Sequence, residues 1–230
     1  MKVAALAALV DELPDELRRR ALTHSSWTDG PESYERLAYL GDSVLALAVA
    51  SHIHERFPEI DAGGLTRIHN YAVSGAACGE VGRALGVPEL LEAAQPQLEE
   101  AIPAEVLLGG SRPLPEVTEA LIGACFVAFG FERTAVAVVE AYAEQIEYAV
   151  EAPVDPKTAL QELLARRRAR VTYAVIGESG PAHRRTFAVE ATVAGKRVGT
   201  GAGPSKKAAE RMAAEEALKR FQAGMEVPSD

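Results

Sequence analysis

The chain has 230 residues, of which 48% are hydrophobic, 25% charged and 6% aromatic, and this composition excludes wholesale disorder and a collagen-like repeat. The formal charge of −9 would argue against a polyanionic partner if it were evenly spread, but it is not. Residues 1–154 carry 10 basic and 24 acidic side chains, whereas residues 155–222 carry 14 basic and 7 acidic ones. The sequence therefore describes an acidic body followed by a small basic module.

Residues 1–150 are predicted to form six or seven helices and no strand, because Ala/Leu/Val/Glu-rich segments alternate with Pro and Gly breakers. The first ten residues are expected to be an amphipathic helix, since no convincing leader cleavage site follows them. The longest uncharged stretch of the second half has 12 residues, fewer than the roughly 20 that span a bilayer, so no membrane partner is expected. Cys78 and Cys125 are interpreted as buried thiols in a reducing compartment.

The composition changes after residue 150. Residues 151–156 contain two prolines and are interpreted as a stiff linker between domains. Residues 157–222 follow the order helix, three strands, helix, and residues 223–230 are expected to be a flexible tail. The middle strand alternates apolar with mostly polar residues from Thr186 to Val193, which predicts a sheet with one buried face. The last helix is expected to cover that face with Ala209, Met212, Ala213, Ala217 and Phe221.

Two predicted helices of the acidic body carry pairs of carboxylates. Glu35 and Asp42 are seven positions apart and therefore about 20° from eclipsed on a helix, with Ala38 between them. Glu116 and Glu119 are three apart on a second helix. Such pairs repel unless solvent or a cation intervenes, and Mg²⁺ prefers carboxylate oxygens. Taken singly, Glu35, Glu116 and Glu119 are each interpreted as an ordinary surface acid near a helix start, where it offsets the dipole. Asp42 differs, because Gly41-Asp42 interrupts an apolar helix and helix propensity favours neither residue there.

The stretch Glu35 to Leu45 (ERLAYLGDSVL) resembles the signature of the ribonuclease III family. The resemblance extends to residues 22–26, 65–67 and 119–124, and the order of the two domains matches bacterial members that end in a double-stranded-RNA-binding domain. It implies an all-α endonuclease domain followed by a small α+β (α-β-β-β-α) RNA-binding domain. It also implies a homodimer that cuts double-stranded RNA with Mg²⁺, for which Mn²⁺ is a candidate substitute.

The resemblance assigns roles to individual acids. Asp42 and Glu119 match the family's catalytic, metal-binding acids, and Glu116 stands where the family has an aspartate ligand. Glu35 is a weaker candidate for the same cleft. Ala38 stands where the family has a glutamate ligand, and Ala62 where it usually has another cleft acid. The two alanines raise the alternative of weakened metal binding, an altered metal preference or lost activity.

In the basic module, Ser205 precedes two lysines at a helix start, where lysine is unfavourable to the helix dipole and an anion is favoured. The module resembles a double-stranded-RNA-binding domain, which reads A-form shape through two minor grooves and the phosphates between them. The resemblance implies minor-groove contacts from Gln161, Glu162 and His183 and phosphate contacts from Lys206, Lys207 and Arg211. The arginine-rich run 166–170 could add phosphate contacts or be a solvated helix end.

These features give two main hypotheses. The first is a cytoplasmic, Mg²⁺-dependent, dimeric endoribonuclease that processes double-stranded RNA such as ribosomal RNA precursors, without a small-molecule cofactor. The second is the same dimer binding RNA without cutting it, because Ala38 and Ala62 replace two acids. A third is a structural subunit of a ribonucleoprotein particle.

Overall fold

The structure is a computed structural model that describes residues 2–28, 32–96, 101–152, 155–181 and 184–228. The chain divides into two compact units, Met1–Ala152 and Pro153–Asp230. The first is helical, and the second contains a three-stranded antiparallel sheet with two helices. The predicted fold class is confirmed.

The described residues of the first unit contain ten α-helices, more than the six or seven predicted. Helix-breaking stretches of only one or two residues split segments that look continuous in the sequence. Gly86 and Gly130, for example, each separate two helices, and their φ angles are positive, 73° and 79°. A short 3₁₀ turn spans Ser25–Trp27. The helices are α1 (Ala4–Asp11), α2 (Asp15–Ala21), α3 (Glu35–Arg56), α4 (Ala62–Ala72), α5 (Gly75–Ala84), α6 (Val87–Ala94), α7 (Ala104–Leu108), α8 (Pro113–Phe129), α9 (Phe131–Ala141) and α10 (Ala143–Glu151).

The centre of this unit is the contact between α3 and α8. By length and composition α3 is, among the described residues, the one helix that could cross a bilayer. Its apolar residues nevertheless supply the core of the unit, where Leu45, Val49 and Ile53 are buried. The two cysteines are also buried and free, as predicted.

Glycines bring the backbones of α3 and α8 into direct contact. A Cβ atom at Gly41 would overlap the carbonyl oxygen of Glu119, and one at Gly123 would overlap the carbonyl oxygen of Leu37. The contact explains why glycine interrupts the apolar pattern of α3, since any larger residue would force the helices apart. It also fixes Asp42, the next residue, close to Glu119.

The second unit consists of α11 (Pro156–Ala165), β1 (Val171–Ser179), β2 (Thr186–Val193), β3 (Lys196–Gly203) and α12 (Lys206–Gln222). The strands are antiparallel in the order β1-β2-β3, and a two-residue turn with positive φ angles joins β2 to β3.

The predicted alternation of β2 is confirmed, because Val189, Ala191 and Val193 are all buried. Helix α12 covers this face with Ala209, Ala213 and Ala217, also buried. Met212 also lies against the sheet, beside Gly201 of β3, but it remains 45% exposed, whereas Ala214 is fully buried. The first helix ends at Ala165, earlier than the predicted end near residue 168.

Replacing Gly41 by Ala should lower the free energy of unfolding by about 1–3 kcal/mol or more, because the added methyl group overlaps backbone that cannot move independently. Gly79→Ala is the matched control. A Cβ atom there would lie 3.8 Å from the nearest atom, Pro115 Cγ, so the higher helix propensity of alanine should leave the protein equally or more stable. Urea denaturation of both variants measures the difference, and equal effects would show that the glycine contact does not control the packing of α3 on α8.

Candidate active site and RNA-binding surface

Helices α3 and α8 border a cleft of about 690 Å³ that contains all four predicted acids, Glu35, Asp42, Glu116 and Glu119. The structure thus brings together carboxylates that are up to 84 positions apart in the sequence. Ala38 lies on the wall of the same cleft, between the two acids of α3.

The carboxylates do not form a preassembled metal site. Within the described ranges, no three His, Cys, Asp or Glu side chains are grouped as ligands of one ion. Ala38 contributes no carboxylate, and Ala62 is an exposed residue at the start of α4 that does not line the cleft. The carboxylate next to it, Asp61, accepts a 2.9 Å hydrogen bond from the Gly64 amide as the N-cap of α4.

Two neighbouring side chains hold Glu116. The Tyr34 hydroxyl donates a 3.0 Å hydrogen bond to its Oε2 atom. Arg112 donates to its Oε1 atom through Nε at 3.0 Å and lies at 2.8 Å through Nη2. Tyr34 is buried, whereas the Arg112 side chain is 85% exposed, so the hydroxyl is the more fixed of the two partners. Each oxygen of Glu116 therefore already has a partner in this structure.

The carboxyl of Glu119 has a raised pKa in this cleft. Burial raises the pKa of its carboxyl to about 7, and the charges of Asp42 and then Glu116 act in the same direction. A hydrogen bond with the buried Cys78 thiol opposes this shift. The negative charges around Glu119 are therefore incompletely compensated, which is the condition in which a bound cation is most favoured.

His24 closes the cleft beside Tyr34. Its Nδ1 atom accepts a 3.0 Å hydrogen bond from the Ser26 amide, and its ring packs edge-on against the rings of Trp27 and Tyr34. Burial lowers the pKa of His24, while the charges of Glu116 and Glu35 oppose that shift. The ring is therefore mainly a neutral wall at pH 7.

Sequence reasoning did not identify Tyr34 or Arg112 as cleft residues. The i, i+4 spacing of Arg112 and Glu116 is typical of an ion pair on one helix face, so this contact could be predicted from the sequence. The contact of Tyr34 with Glu116 spans 82 positions and had no local signal.

In the second unit, Ser205 caps α12 as predicted, accepting a 3.2 Å hydrogen bond from the Ala208 amide. Lys206 and Lys207 occupy the first turn of that helix, and Lys207 and Arg211 border a hollow of about 620 Å³. On α11, Gln161 is exposed and Glu162 is half-buried. His183 lies outside the described residues. The structure thus gives the basic end of α12 the arrangement of an anion site.

An acidic cleft between two helices, joined in one chain to an α-β-β-β-α module with a basic helix start, is the arrangement expected of a nuclease that carries its own RNA-binding domain. The family model described as Ribonuclease-III-like matches residues 14–146, and the double-stranded RNA binding motif matches residues 156–220. A ribonuclease 3 from Thermobifida fusca is 35% identical over 223 residues, covering 94% of this chain and 90% of the relative.

Two further relatives agree. A ribonuclease 3 from Vibrio vulnificus is 36% identical and covers 91% of this chain and 92% of its own length. The solved nuclease domain of ribonuclease III from Campylobacter jejuni is 25% identical with a TM-score of 0.51, covering 62% of this chain and 97% of that domain. The chain belongs to the ribonuclease III family of endoribonucleases that act on double-stranded RNA.

Replacing Glu119 by Gln should stabilise the metal-free protein at high pH. A carboxyl whose pKa is raised in the folded state contributes its stability below the unfolded pKa, near 4.5, and that contribution is lost as the pH rises through about 7. Glutamine does not ionise, so in EDTA at pH 8.5 the variant should be more stable by about 1–2 kcal/mol after allowance for partial exposure of the carboxyl. At pH 5 the two proteins should unfold alike.

Urea unfolding in EDTA at both pH values measures this difference. Added Mg²⁺ should then stabilise the unmodified protein more than the variant, because the carboxylate of Glu119 attracts the cation and the neutral amide of glutamine does not. A variant that is less stable at both pH values would contradict the charge assignment of Glu119.

Proposed function

We propose that the acidic cleft hydrolyses phosphodiester bonds of double-stranded RNA with a divalent cation held by Asp42, Glu116 and Glu119. The observation that carries the proposal is the half-buried Glu119 in one cleft with Asp42 and Glu116. Burial raises the pKa of Glu119 to about 7, and the charges of Asp42 and Glu116 add to this shift. The donor set fits Mg²⁺ in its chemistry, since this ion is bound through few carboxylates together with water and substrate phosphate. Mn²⁺ is the proposed substitute.

A divalent cation held by Asp42, Glu116 and Glu119 would supply activation of water and stabilisation of the leaving 3′ oxygen. The residues of the chain prepare for that chemistry in distinct ways. Asp42 and Glu119 are held side by side by the glycine contact of α3 with α8. The Tyr34 hydroxyl fixes the orientation of Glu116. The Glu116 side chain is longer than that of aspartate and would otherwise adopt more rotamers.

Arg112 acts against metal binding. Two nitrogens of its guanidinium contact the Oε1 atom of Glu116, so an incoming cation competes with an ion pair at that oxygen. Because Arg112 is mostly exposed, this competition is weak and the pair opens at low cost. Together with Ala38, Arg112 favours a lower affinity for metal than a cleft with four free carboxylates.

A second candidate function is RNA binding without cleavage. The specific observation in its favour is that the alanine at position 38 faces the cleft where a carboxylate would complete a metal-binding group, and that the described residues contain no such group. Under this proposal the chain acts only by binding RNA through its double-stranded RNA binding motif.

The expected result in a cleavage assay on labelled duplex RNA is cutting in Mg²⁺ that is stronger in Mn²⁺ and absent in EDTA, because manganese binds nitrogen and oxygen ligands more tightly. Ala38→Glu should raise the activity in Mg²⁺ by restoring a carboxylate. Asp42→Asn should abolish cutting while leaving duplex binding nearly unchanged. Duplex binding with no cutting in either metal would favour the second candidate, and an inert Ala38→Glu would contradict the position assigned to the missing ligand.

We also propose that the chain acts as a homodimer through an exposed face of α3. Tyr39 and Leu47 are 81% and 54% exposed and lie eight residues apart with the exposed Ser43 between them. Large apolar side chains on one helix face are typical of an interface. Tyr39 also lines the cleft, so a second copy on this face would border the active site. The Campylobacter jejuni nuclease domain has a region involved in dimer formation.

The double variant Tyr39→Ser/Leu47→Ser should shift the species in sedimentation from about twice 24.4 kDa to a single 24.4 kDa chain. The matched control is Val127→Ser/Val136→Ser, which alters two apolar side chains of similar exposure on α8 and α9. Equal behaviour of the two double variants would contradict the proposed interface.

Three further predictions remain proposals. A cytoplasmic location is supported by two buried free thiols, which suit a reducing compartment. Ribosomal RNA precursors are the proposed substrates among double-stranded RNAs. The absence of a membrane partner and of a small-molecule cofactor stays a prediction.

A further inference from the structure

The basic side chains of the second unit fall into two groups. One group is neutralised by nearby acids, including Lys157 with Glu210 at 2.5 Å and Lys219 with Glu215 at 2.7 Å. The same holds for Arg185, Arg197 and Arg220. The other group has no ion pair within the described part of the chain. It includes Lys207 of the predicted phosphate site and also Arg167, Arg168 and Arg170. Arg211 has no ion pair either, although its charge adds to that of Lys219 in lowering the pKa of Glu215.

The three unpaired arginines form a turn that costs energy to make. Helix α11 ends at Ala165, and Arg168 closes the turn in the left-handed region with φ 57°. The Arg168 amide donates to the Ala165 carbonyl, and the Ala169 amide donates to the Leu164 carbonyl, both at 3.0 Å. Helix ends of this type usually place glycine at the left-handed position, because a Cβ atom is strained there. The sequence instead has a long cationic side chain.

The arginine turn borders the proposed RNA contact on α11. Arg168 and Arg170 share a hollow of about 560 Å³ with Gln161. Together with Arg167 they also border a second hollow of about 650 Å³, where, among the described residues, Glu226 is the one acid beside three guanidinium groups. The surroundings of the turn therefore remain positive.

The two unpaired clusters lie at opposite ends of α11. Asp155, which caps the start of this helix, borders the same hollow as Lys207 and Arg211. The arginine turn follows the other end, ten residues or about 15 Å further along. Gln161 lies between them. If Gln161 contacts the minor groove of an RNA duplex, cations on both sides of it are placed to bind the phosphates that border that groove on both sides.

We propose that Arg167, Arg168 and Arg170 form a second phosphate-binding site of the RNA-binding domain. The site binds phosphodiester groups of the duplex that flank the groove entered by α11, on the side away from the lysines of α12. Guanidinium groups suit this ligand because they bind phosphate oxygens in a bidentate geometry. The inference rests on the proposed binding of double-stranded RNA by this unit.

The test compares two double variants of the full chain that remove the same charge, Arg167→Gln/Arg170→Gln and Lys219→Gln/Arg220→Gln. Binding to a labelled RNA duplex of about 20 base pairs is measured in EDTA across a salt series. The arginine variant should bind roughly tenfold more weakly and flatten the log–log salt dependence by about 0.9 for each phosphate that the variant no longer neutralises. The control variant should change neither quantity by a comparable amount, because its two cations are already paired with Glu215 and Glu216.

Arg168→Gly separates a binding role from a structural one. Glycine relieves the left-handed strain, so the melting temperature should rise. If the guanidinium binds phosphate, RNA affinity should fall severalfold in the same variant. A rise in melting temperature with unchanged affinity would overturn the inference, as would equal losses of affinity in the two double variants. If the unmodified chain fails to bind the duplex, the proposed RNA-binding function itself is wrong and the inference falls with it.

Discussion

The direct backbone contact between α3 and α8 determines the rest of the first unit. Gly41 and Gly123 allow this approach, since a Cβ atom at either position would overlap the opposite helix. The same contact places Asp42 next to Glu119 and leaves four carboxylates on one cleft. Close packing of the two helices therefore acts on Glu119 in two ways. It buries the carboxyl, which raises its pKa to about 7, and it holds the charges of Asp42 and Glu116 nearby, which raise the pKa further.

Two features of this chain reduce that repulsion. Ala38 removes one carboxylate from the wall of the cleft, and Arg112 neutralises Glu116 by an ion pair. Both lower the energy of the metal-free protein, because fewer uncompensated charges remain near Glu119. Both also lower the gain from binding a cation, since that gain comes from relieving the same repulsion. Stability without metal and affinity for metal are thus coupled with opposite signs at these two positions.

Local sequence patterns predicted the features that depend on local physics. The period of β2, the Ser205 cap and the shared face of Glu35 and Asp42 each follow from the geometry of one element. The Gly41-Asp42 pair breaks the apolar pattern of α3, but the reason for the glycine lies in a helix more than 70 residues away. The hydrogen bond from Tyr34 to Glu116 and the exposure of Met212 likewise depend on tertiary packing, which the sequence pattern of one element does not contain.

The charge of the second unit also has to be resolved into individual side chains. Residues 155–222 carry a formal charge of +7, yet several of their cations are paired with acids on the same surface. Paired cations contribute little to the field that attracts a polyanion, because their charge is neutralised within a few ångströms. Apart from Arg184 and Lys196, which lie in or beside the strand connections, the described cations without an ion pair lie in the first turns of α12 and after the end of α11. Affinity for a polyanion should therefore follow the position of the unpaired cations rather than the net charge, and for this unit that places the attraction at the two ends of the helix that carries Gln161.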